Sequence, residues 1–322
     1  MCSLIATIEH KHLVKLLATY VYKEKYHLLF PFAESNLRAF WEAVPTPNWN
    51  RVTYLWVLDQ IAGLASAMTA IHEYEANPAY TADPRKPGPV FSRFETAGRR
   101  AIPIAEGEGK YGRHGDMKPD NILWREDREN YGTLLITDLG MCDFHKASSV
   151  SKVPSNNLGG SQTYMAPELV LMKPISRAYD VWGLGCIYLE FITWLLTGFA
   201  GLEEFHRLRD NITLDPNVED DSYFTLQLSG DGGKYATVRP AVEECIAMLR
   251  RNVKCSAMIR KILDLVEHSM LLVEPQKRIK ARDLYSMLWR IHNDAKHDAE
   301  FLAGKRPENK GEGFIAPRFP TL

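Results

Sequence analysis

Four polar side chains near the middle of the 322-residue sequence have the types and spacing that phosphoryl transfer requires. This reaction needs a carboxylate that orients the attacking hydroxyl, a cation near the transferred phosphate, and oxygen ligands for Mg²⁺. In "HGDMKPDN", Asp116 suits the first role and Lys118 the second. The oxygen ligands are Asn121, from the same loop, and Asp138, from "LLITDLG". Taken alone, the loop could equally be a solvated polar turn ahead of a strand.

Three further motifs follow, in the order that a known family shows. Residues 160–168 read "GSQTYMAPE", Asp180 lies in "YDVWGLGC", and Arg278 ends "EPQKR". Together with "HGDMKPDN" and "DLG", they resemble the larger, helical lobe of eukaryotic protein kinases over residues 4–291. The segments "YGRHGDMKPDNIL" and "LVKLLATY" are similar in sequence to kinase-like proteins of filamentous fungi. The resemblance implies an α+β, protein kinase-like fold, with a mostly helical large lobe and only a remnant of the small β lobe.

This resemblance implies a chemical role for individual residues. Asp116 resembles the catalytic base, and Lys118 is the choice typical of Ser/Thr rather than Tyr kinases. Ser161 occupies the position that contacts both of them. Mg²⁺ would be held by Asn121 and Asp138. The residues expected to bind ATP form the hinge, lie beneath the adenine ring or precede Asp138; they are Phe30, Phe32, Ala33, Leu123 and Thr137.

Other matches imply structural roles. Glu168 and Arg278 match two residues that form a buried ion pair within the large lobe. Asp180 matches a carboxylate that holds the backbone of the catalytic loop. Gly115 stands where kinases carry an arginine that docks a phosphorylated activation loop. We therefore expect this phosphate-to-arginine switch to be absent.

Periodicity and turn signals predict the elements that must position these residues. The strongest pattern covers residues 52–72, an amphipathic helix with its apolar residues on one stripe. The remaining predictions, in chain order, are the end of a helix over 1–9, strands over 13–20 and 26–32 joined by the turn "YKEK", a capped helical turn over 36–41, short strands around Ile122 and over 134–137, and mostly helix from Pro167 onward, broken near 229–234.

One apolar run, residues 181–202, is long enough to cross a bilayer. It carries Glu190 at its middle, and it lacks a basic flank. A helix buried on all sides in a large globular core gives the same pattern. The run also coincides with the central helix of the kinase large lobe, so we favour the buried helix over a membrane anchor.

Residues 76–112 interrupt the resemblance with five prolines and no sustained period, as is typical of an insertion. Within them "GEGKYG" satisfies G-x-G-x-x-G, but no strand precedes it and it runs directly into the catalytic loop. We interpret it as a flexible approach loop rather than a phosphate-binding loop. The predicted organisation is a small-lobe remnant and hinge over 1–33, a large lobe over 34–295, and a tail over 296–322.

The amino-acid composition limits which partners and which cellular compartment we expect for this protein. The net charge of −1 gives no global field that would attract nucleic acid or an anionic membrane. Five scattered cysteines without CxxC pairs favour free thiols in a reducing compartment, and the N-terminus does not read as a signal peptide. We expect an intracellular protein, cytoplasmic or nuclear, whose partners are ATP and a protein substrate, with neither nucleic acid nor membrane among them.

The start of the chain raises the main alternative. Kinase spacing places the glutamate and the strand lysine that fix the phosphates, together with the glycine-rich loop, before Met1. We therefore expect an N-terminally truncated Ser/Thr kinase, which as given binds ATP weakly and transfers little phosphate. The alternative is a catalytically impaired half-kinase that acts as a binding or scaffold module.

Overall fold

The computed structural model describes residues 8–74, 112–127, 131–138, 162–212, 219–230 and 232–304. Three predictions lie wholly or largely outside these residues: the helix end over 1–9, the insertion over 76–112 and the last part of the tail. The domain boundaries given above stay a prediction.

The first element is a hairpin of β1 (Ala18–Tyr22) and β2 (Lys25–Leu29). Its two turn residues have positive φ angles of 48° and 61°, which match the right-handed twist of a tight hairpin. The predicted turn is confirmed, but the strands are shorter than predicted. Leu13 lies outside the hairpin, because it is buried in the body of the molecule and bridges to Ile136.

A three-stranded antiparallel sheet carries the next strands, in the order β3 (Ser35–Asn36), β4 (Ile122–Arg125) and β5 (Thr133–Ile136). Asn36 also caps helix α1 (Leu37–Ala43), because its side chain accepts a hydrogen bond of 2.9 Å from the backbone N–H of Ala39. The predicted pair of short strands and the capped helical turn are therefore confirmed.

Two long helices form the centre of the molecule: α2 (Arg51–Glu73) and, after the short α3 (Pro167–Val170), α4 (Ala178–Arg209). Helix α2 confirms the predicted amphipathic helix. Helix α4 contains the long apolar run and bends at Gly198, whose φ of 76° suits glycine. Both helices are long and apolar enough to cross a membrane, but 67% and 78% of their apolar windows are buried inside the structure. A core position accounts for their composition.

Among the described residues, the C-terminal part contains four α-helices and two small antiparallel strand pairs. The helices are α5 (Pro240–Arg251), α6 (Ala257–Leu265), α7 (Ala281–His297) and α8 (Ala299–Ala303). The strand pairs join β6 (Asn211–Ile212) with β7 (Glu219–Asp220), and β8 (Phe224–Leu228) with β9 (Lys234–Val238). Residues 229–234 were expected only to interrupt helices, so the β8–β9 hairpin corrects that prediction. Its glycine-rich turn is the reason, since a turn and a helix break have the same composition.

A hydrophobic core joins the three-stranded sheet, the β8–β9 hairpin and the helices, with α4 at its centre and α7 packed along α2. Phe40, Trp56, Trp124 and Trp194 meet in this core, with ring centroids 5.4–5.8 Å from Phe40. Each aromatic side chain buries a large apolar area, so the cluster contributes strongly to stability. Among the described residues the cysteines are buried and free of disulfides; they are Cys186, Cys245 and Cys255.

Candidate active site

The structure brings three of the predicted catalytic residues into one cluster. Lys118 Nζ donates to Asp116 Oδ2 at 2.8 Å. Asn121 Nδ2 donates to the Asp116 carbonyl at 2.8 Å and to its Oδ2 at 3.0 Å. The 3₁₀ turn Pro119–Asn121 makes this possible, because it folds Asn121 back toward the start of the loop. The Asp116 carboxylate is thereby fixed in orientation by two neighbours.

His114 ties this loop to the end of β5. Its Nδ1 accepts from the N–H of Asp116 at 3.2 Å, and its Nε2 lies 2.7 Å from the carbonyl of Thr137. A carbonyl can only accept, so these contacts fit the tautomer that is protonated on Nε2. The N–H of Thr137 in turn donates to the carbonyl of Asn121 at 3.0 Å. Thr137, and with it the backbone of Asp138, is therefore held beside the catalytic loop.

Asp138 is the next residue, and its φ is 62°. Aspartate tolerates this left-handed region better than most residues, yet such a conformation costs about 1 kcal/mol or more and is concentrated at functional sites. Carboxylate and amide oxygens are the ligands that Mg²⁺ prefers. Because the amide nitrogen of Asn121 is committed to Asp116, its Oδ1 is directed away from that residue. Asn121 and Asp138 thus fit a Mg²⁺ ion by the chemistry of their donors.

Asp180, at the start of α4, binds the backbone of the catalytic loop through its side chain. Its carboxylate accepts from the N–H of His114 at 2.9 Å and from the N–H of Gly115 at 2.8 Å. His72 Nε2 contacts the same carboxylate at 2.9 Å. Burial by itself raises the pKa of Asp180, but the hydrogen bond and charge of His72 and the N–H donors outweigh it, and the pKa is lowered. The predicted position of Asp180 under the loop is confirmed.

Gly115 has a φ of 79°, and a Cβ atom placed there would meet no atom within 4 Å. The backbone conformation rather than lack of space therefore favours glycine at this position.

The predicted ion pair between Glu168 and Arg278 is also confirmed. Both guanidinium Nη atoms donate to the two carboxylate oxygens at 2.7 Å, and both side chains are fully buried. The Arg278 Nε donates to the carbonyl of Leu272 at 2.6 Å, and Nη1 also donates to the carbonyl of Ala178 at 2.9 Å. The pair thus fastens α3 to the start of α4 and to the segment before α7.

The predicted ATP-contacting residues lie on either side of one strand pairing. The chain runs through Phe30, Phe32 and Ala33 as coil and then enters β3, where Asn36 pairs with Leu123 of β4. Phe30 packs against the core, whereas Phe32 is 72% exposed. Leu123 is therefore adjacent to the strand that follows the predicted hinge. Contact of these residues with adenine stays a prediction, and Ser161 lies outside the described residues.

A second polar cluster was not predicted as part of the site. Arg38, on α1, lies 3.8 Å from Asp120 Oδ1 in the catalytic loop and donates to the hydroxyl of Tyr164 at 3.2 Å. Tyr164 belongs to "GSQTYMAPE" and donates to both carboxylate oxygens of Glu190 at 2.9 and 3.1 Å. Arg38 therefore connects the catalytic loop to this later segment. The one sequence signal was Glu190, a charge within an apolar run.

The Glu190 side chain is fully buried, and its carboxylate is contacted by several hydrogen-bond donors. Besides Tyr164 it receives His206 Nε2 at 3.0 Å, Tyr223 Oη at 3.0 Å and Arg209 Nη2 at 3.3 Å. Burial raises the pKa of Glu190, but His206 and the nearby arginines outweigh it and lower the pKa to about 2. Arg209 is itself stacked between the rings of Phe205 and Tyr223, with its Cζ 4.3 and 4.1 Å from their centroids. The carboxylate is therefore ionised inside the core.

Comparison with known proteins gives a consistent result. The family model described as the protein kinase domain matches residues 112–290, more than half of the chain. Homeodomain-interacting protein kinase 2 of Mesocricetus auratus is 37% identical over 98 residues, which is 30% of this chain and 8% of that protein. Cyclin-dependent kinase E-1 of Arabidopsis thaliana is 37% identical over 91 residues, 28% of this chain and 19% of that protein. For 3-phosphoinositide-dependent protein kinase 1 of Homo sapiens, the values are 35% over 90 residues, 28% and 15%. The chain thus spans less than a fifth of each of these relatives.

Proposed function

The chain belongs to the protein kinase family, and on this basis we propose that it is an ATP-dependent Ser/Thr kinase that phosphorylates a protein hydroxyl. The observation that carries the proposal is the cluster of Asp116, Lys118 and Asn121, tied through His114 and Thr137 to Asp138. Lys118 supports Ser/Thr rather than Tyr specificity. The named relatives are all protein kinases, which supports the reaction class.

The roles of the chain's own residues follow from this geometry. Asp116 would accept and orient the proton of the attacking hydroxyl, because Lys118 and Asn121 hold its carboxylate in place. Lys118 would place a positive charge beside the transferred group. Asp180 keeps the loop backbone in register by binding two successive N–H groups. Preorganisation of this kind is the main contribution a protein makes to phosphoryl transfer.

The cofactor would be held by two groups of residues. Asn121 and Asp138 would bind Mg²⁺, and the hinge with Leu123 and Thr137 would bind the nucleotide. When bound, Mg²⁺-ATP supplies the phosphoryl group and a cation that neutralises its charge. A location in the cytoplasm or nucleus stays a prediction.

Radiolabel transfer from ATP to a generic Ser/Thr substrate tests the proposal. The 322 residues alone should transfer little label. A chain that also carries the glycine-rich loop and the strand lysine of the family should transfer label in a Mg²⁺-dependent manner, and Asp116→Asn should abolish that transfer. In a thermal shift assay with ATP, Asp138→Asn should remove the dependence of stabilisation on Mg²⁺. Asp294→Asn is the matched control, because Asp294 is an exposed carboxylate on α7 whose one ion pair within the described part of the chain is a long one of 3.9 Å with Lys261.

The same experiments separate the alternative of a binding or scaffold module. Mg²⁺-dependent binding of ATP with no Asp116-dependent transfer, even in the chain that carries the glycine-rich loop and the strand lysine, would favour the alternative. Label transfer that Asp116→Asn leaves intact would contradict the site assignment. Failure to bind ATP with or without Mg²⁺ would contradict the kinase function and leave only a module that binds protein partners.

A further inference from the structure

The last turn of α2 lies against the chain that enters the catalytic loop. The N–H of Gly112 donates to the carbonyl of Tyr74, the residue that ends this helix, at 3.2 Å. A Cβ atom at Gly112 would lie 2.3 Å from the carbonyl oxygen of Ile71, so only glycine permits this close approach. The end of α2 therefore sets the position from which the catalytic loop starts.

His72, in the same turn of α2, joins this helix to the start of α4 at two points. Its carbonyl accepts from Arg177 Nη1 at 3.1 Å. Its Nε2 lies 2.9 Å from Oδ2 of Asp180, and the side chains of both residues are buried. An ionised carboxylate can only accept, so the hydrogen of this contact lies on Nε2 of His72. The backbone and the ring of His72 are thus both fixed beside Asp180.

The carboxylate of Asp180 passes this constraint to the catalytic loop. Its Oδ2, which contacts His72, also accepts from the N–H of His114, and its Oδ1 accepts from the N–H of Gly115. Gly115 directly precedes Asp116, and a glycine backbone rotates more freely than that of other residues. A rotation of the Asp180 carboxylate would therefore release the peptide groups that orient Asp116.

His72 also stabilises the charge of Asp180. Burial raises the pKa of Asp180, whereas the hydrogen bond and the charge of His72 are the largest of the effects that lower it. Without His72 the carboxyl group would lose these effects, and its pKa should rise. A protonated carboxyl group accepts hydrogen bonds more weakly than a carboxylate does. The two hydrogen bonds from the loop to Asp180 therefore depend on His72.

We propose that His72 is a positioning residue for phosphoryl transfer, because it fixes the Asp180 carboxylate and, through it, the backbone that orients Asp116. This inference rests on the proposed kinase function, in which Asp116 receives the proton of the attacking hydroxyl. Within the described residues His72 makes no hydrogen bond to the catalytic cluster, so it acts through Asp180. A displacement of about 1 Å can lower a rate roughly a hundredfold, so a small rotation of the loop is sufficient to reduce activity.

Two variants of similar size separate the hydrogen-bond donor of His72 from the space that its ring fills. His72→Gln keeps an N–H donor near the position of Nε2, and His72→Met has none. His72 lines a cavity of about 460 Å³, so both new side chains can be accommodated. Thr69→Val is the matched control, because Thr69 lines the same cavity in the preceding turn and its hydroxyl donates to the carbonyl of Ala65 within α2.

Hydrogen exchange measured by NMR on the 322-residue chain tests the positioning without any need for activity. In His72→Met the N–H groups of His114 and Gly115 should exchange roughly tenfold faster or more, because their charged acceptor is weakened. This rise should exceed that of the N–H groups of α5, which follow the stability of the whole body. His72→Gln and Thr69→Val should exchange as wild type does. No rise at His114 and Gly115, or an equal rise in α5, would overturn the proposal.

Kinetics test the consequence for the reaction, in a chain that also carries the glycine-rich loop and the strand lysine of the family. His72→Met should lower kcat roughly tenfold or more and leave the KM for ATP within about twofold of wild type, because nucleotide binding is not changed. His72→Gln should restore kcat to within about threefold of wild type. If His72→Met does not fold, His72→Asn replaces it, since its shorter amide does not reach Asp180.

The kinetic outcomes distinguish this inference from the proposed function. Equal kcat in wild type and His72→Met, or an equal loss in His72→Met and His72→Gln, would overturn the positioning role and leave the kinase function intact. Absence of transfer by every form, wild type included, would overturn the kinase function and the positioning role together.

Discussion

The β1–β2 hairpin and helix α4 depart from the usual pattern of burial in opposite directions. The hairpin exposes apolar side chains on both faces, with Tyr26 82% exposed, whereas α4 buries the charged Glu190 completely. The contacts that each region makes with the rest of the molecule explain this difference in burial. Glu190 receives donors from four other side chains, while no other described element makes extensive contact with the hairpin. Residue type alone therefore does not decide burial in this chain; the available partners do.

This contrast also predicts where stability resides. A two-stranded hairpin with little cover, as this one has among the described residues, is marginally stable in water. The helical body, by comparison, encloses its ionic groups with their partners, and removal of one partner leaves an unpaired buried charge. Substitutions in the body should therefore have large effects on the free energy of unfolding, and those in the hairpin small ones.

The largest effect is expected for Arg278→Ala, which leaves Glu168 fully buried without its partner. The free energy of unfolding should fall by roughly 3–5 kcal/mol in urea titrations. Arg207→Ala is the control, since Arg207 pairs with Glu204 on the exposed surface of α4 and should contribute little. If Arg278→Ala is as stable as wild type, buried ionic groups do not make the helical body more sensitive to substitution than the hairpin.

The next effect concerns His12, which joins the N-terminal segment to the body through Leu134. Its Nδ1 lies 2.9 Å from the Leu134 carbonyl, and burial lowers the pKa of His12 from 6.5 to about 4. Between these pH values the unfolded chain binds a proton that the folded chain does not. Stability should therefore be complete above pH 6.5 and fall by about 3 kcal/mol as the pH drops to 4.

Urea titrations across this pH range measure the loss. His12→Gln should remove most of the slope, whereas His268→Gln, at a surface position, should keep it. A smaller slope should remain, because burial also lowers the pKa of His10 and of His292. Glu190 should not interfere, because its pKa of about 2 makes it lose stability only below pH 4.5. An NMR titration of His12 that gave an ordinary pKa would contradict the prediction.

An intermediate effect is expected for Tyr164→Phe, which removes one hydroxyl donor from the buried carboxylate of Glu190. Hydrogen bonds to charged groups contribute roughly 2 kcal/mol, and calorimetry should show a loss of that order. Tyr235→Phe, whose hydroxyl bonds Gln227 on the exposed β8–β9 hairpin, serves as the matched control. If both variants melt alike, the Glu190 cluster does not stabilise the core as its geometry indicates.

The smallest effect is expected in the first hairpin. Tyr26→Thr keeps a residue that favours strands and removes an exposed ring, so the free energy of unfolding should change by less than about 0.5 kcal/mol. Chemical denaturation measures this directly. A loss above about 1 kcal/mol would mean that the ring is covered in solution. The hairpin and the helical body would then differ less in their sensitivity to substitution.

The success of the sequence predictions depends on how far apart the interacting residues lie. Asp116, Lys118 and Asn121 are neighbours in the chain, so their cluster could be expected from spacing alone. Asp180 and the Glu168–Arg278 pair are far apart, and they were found only because their motifs occur in a known order. No spacing rule connects Glu190 to its donors.

Other features were missed for local reasons. The turn of the β8–β9 hairpin reads like a helix break, because glycine-rich composition serves both. Leu13 has the apolar character of a strand residue, but a contact with Ile136 placed it in the body instead. In both cases tertiary contacts, which a single sequence does not show, decided the outcome.

The aromatic core has a consequence for how the two regions can be observed. Six of the seven tryptophans lie wholly or partly inside the helical body, and the seventh, Trp289, is 54% exposed on α7. The hairpin contains tyrosines but no tryptophan. Emission excited at the red edge of indole absorption therefore reports on the body alone. Opening of the hairpin leaves this signal unchanged, and only tyrosine absorbance or a tryptophan placed at Tyr26 would record it.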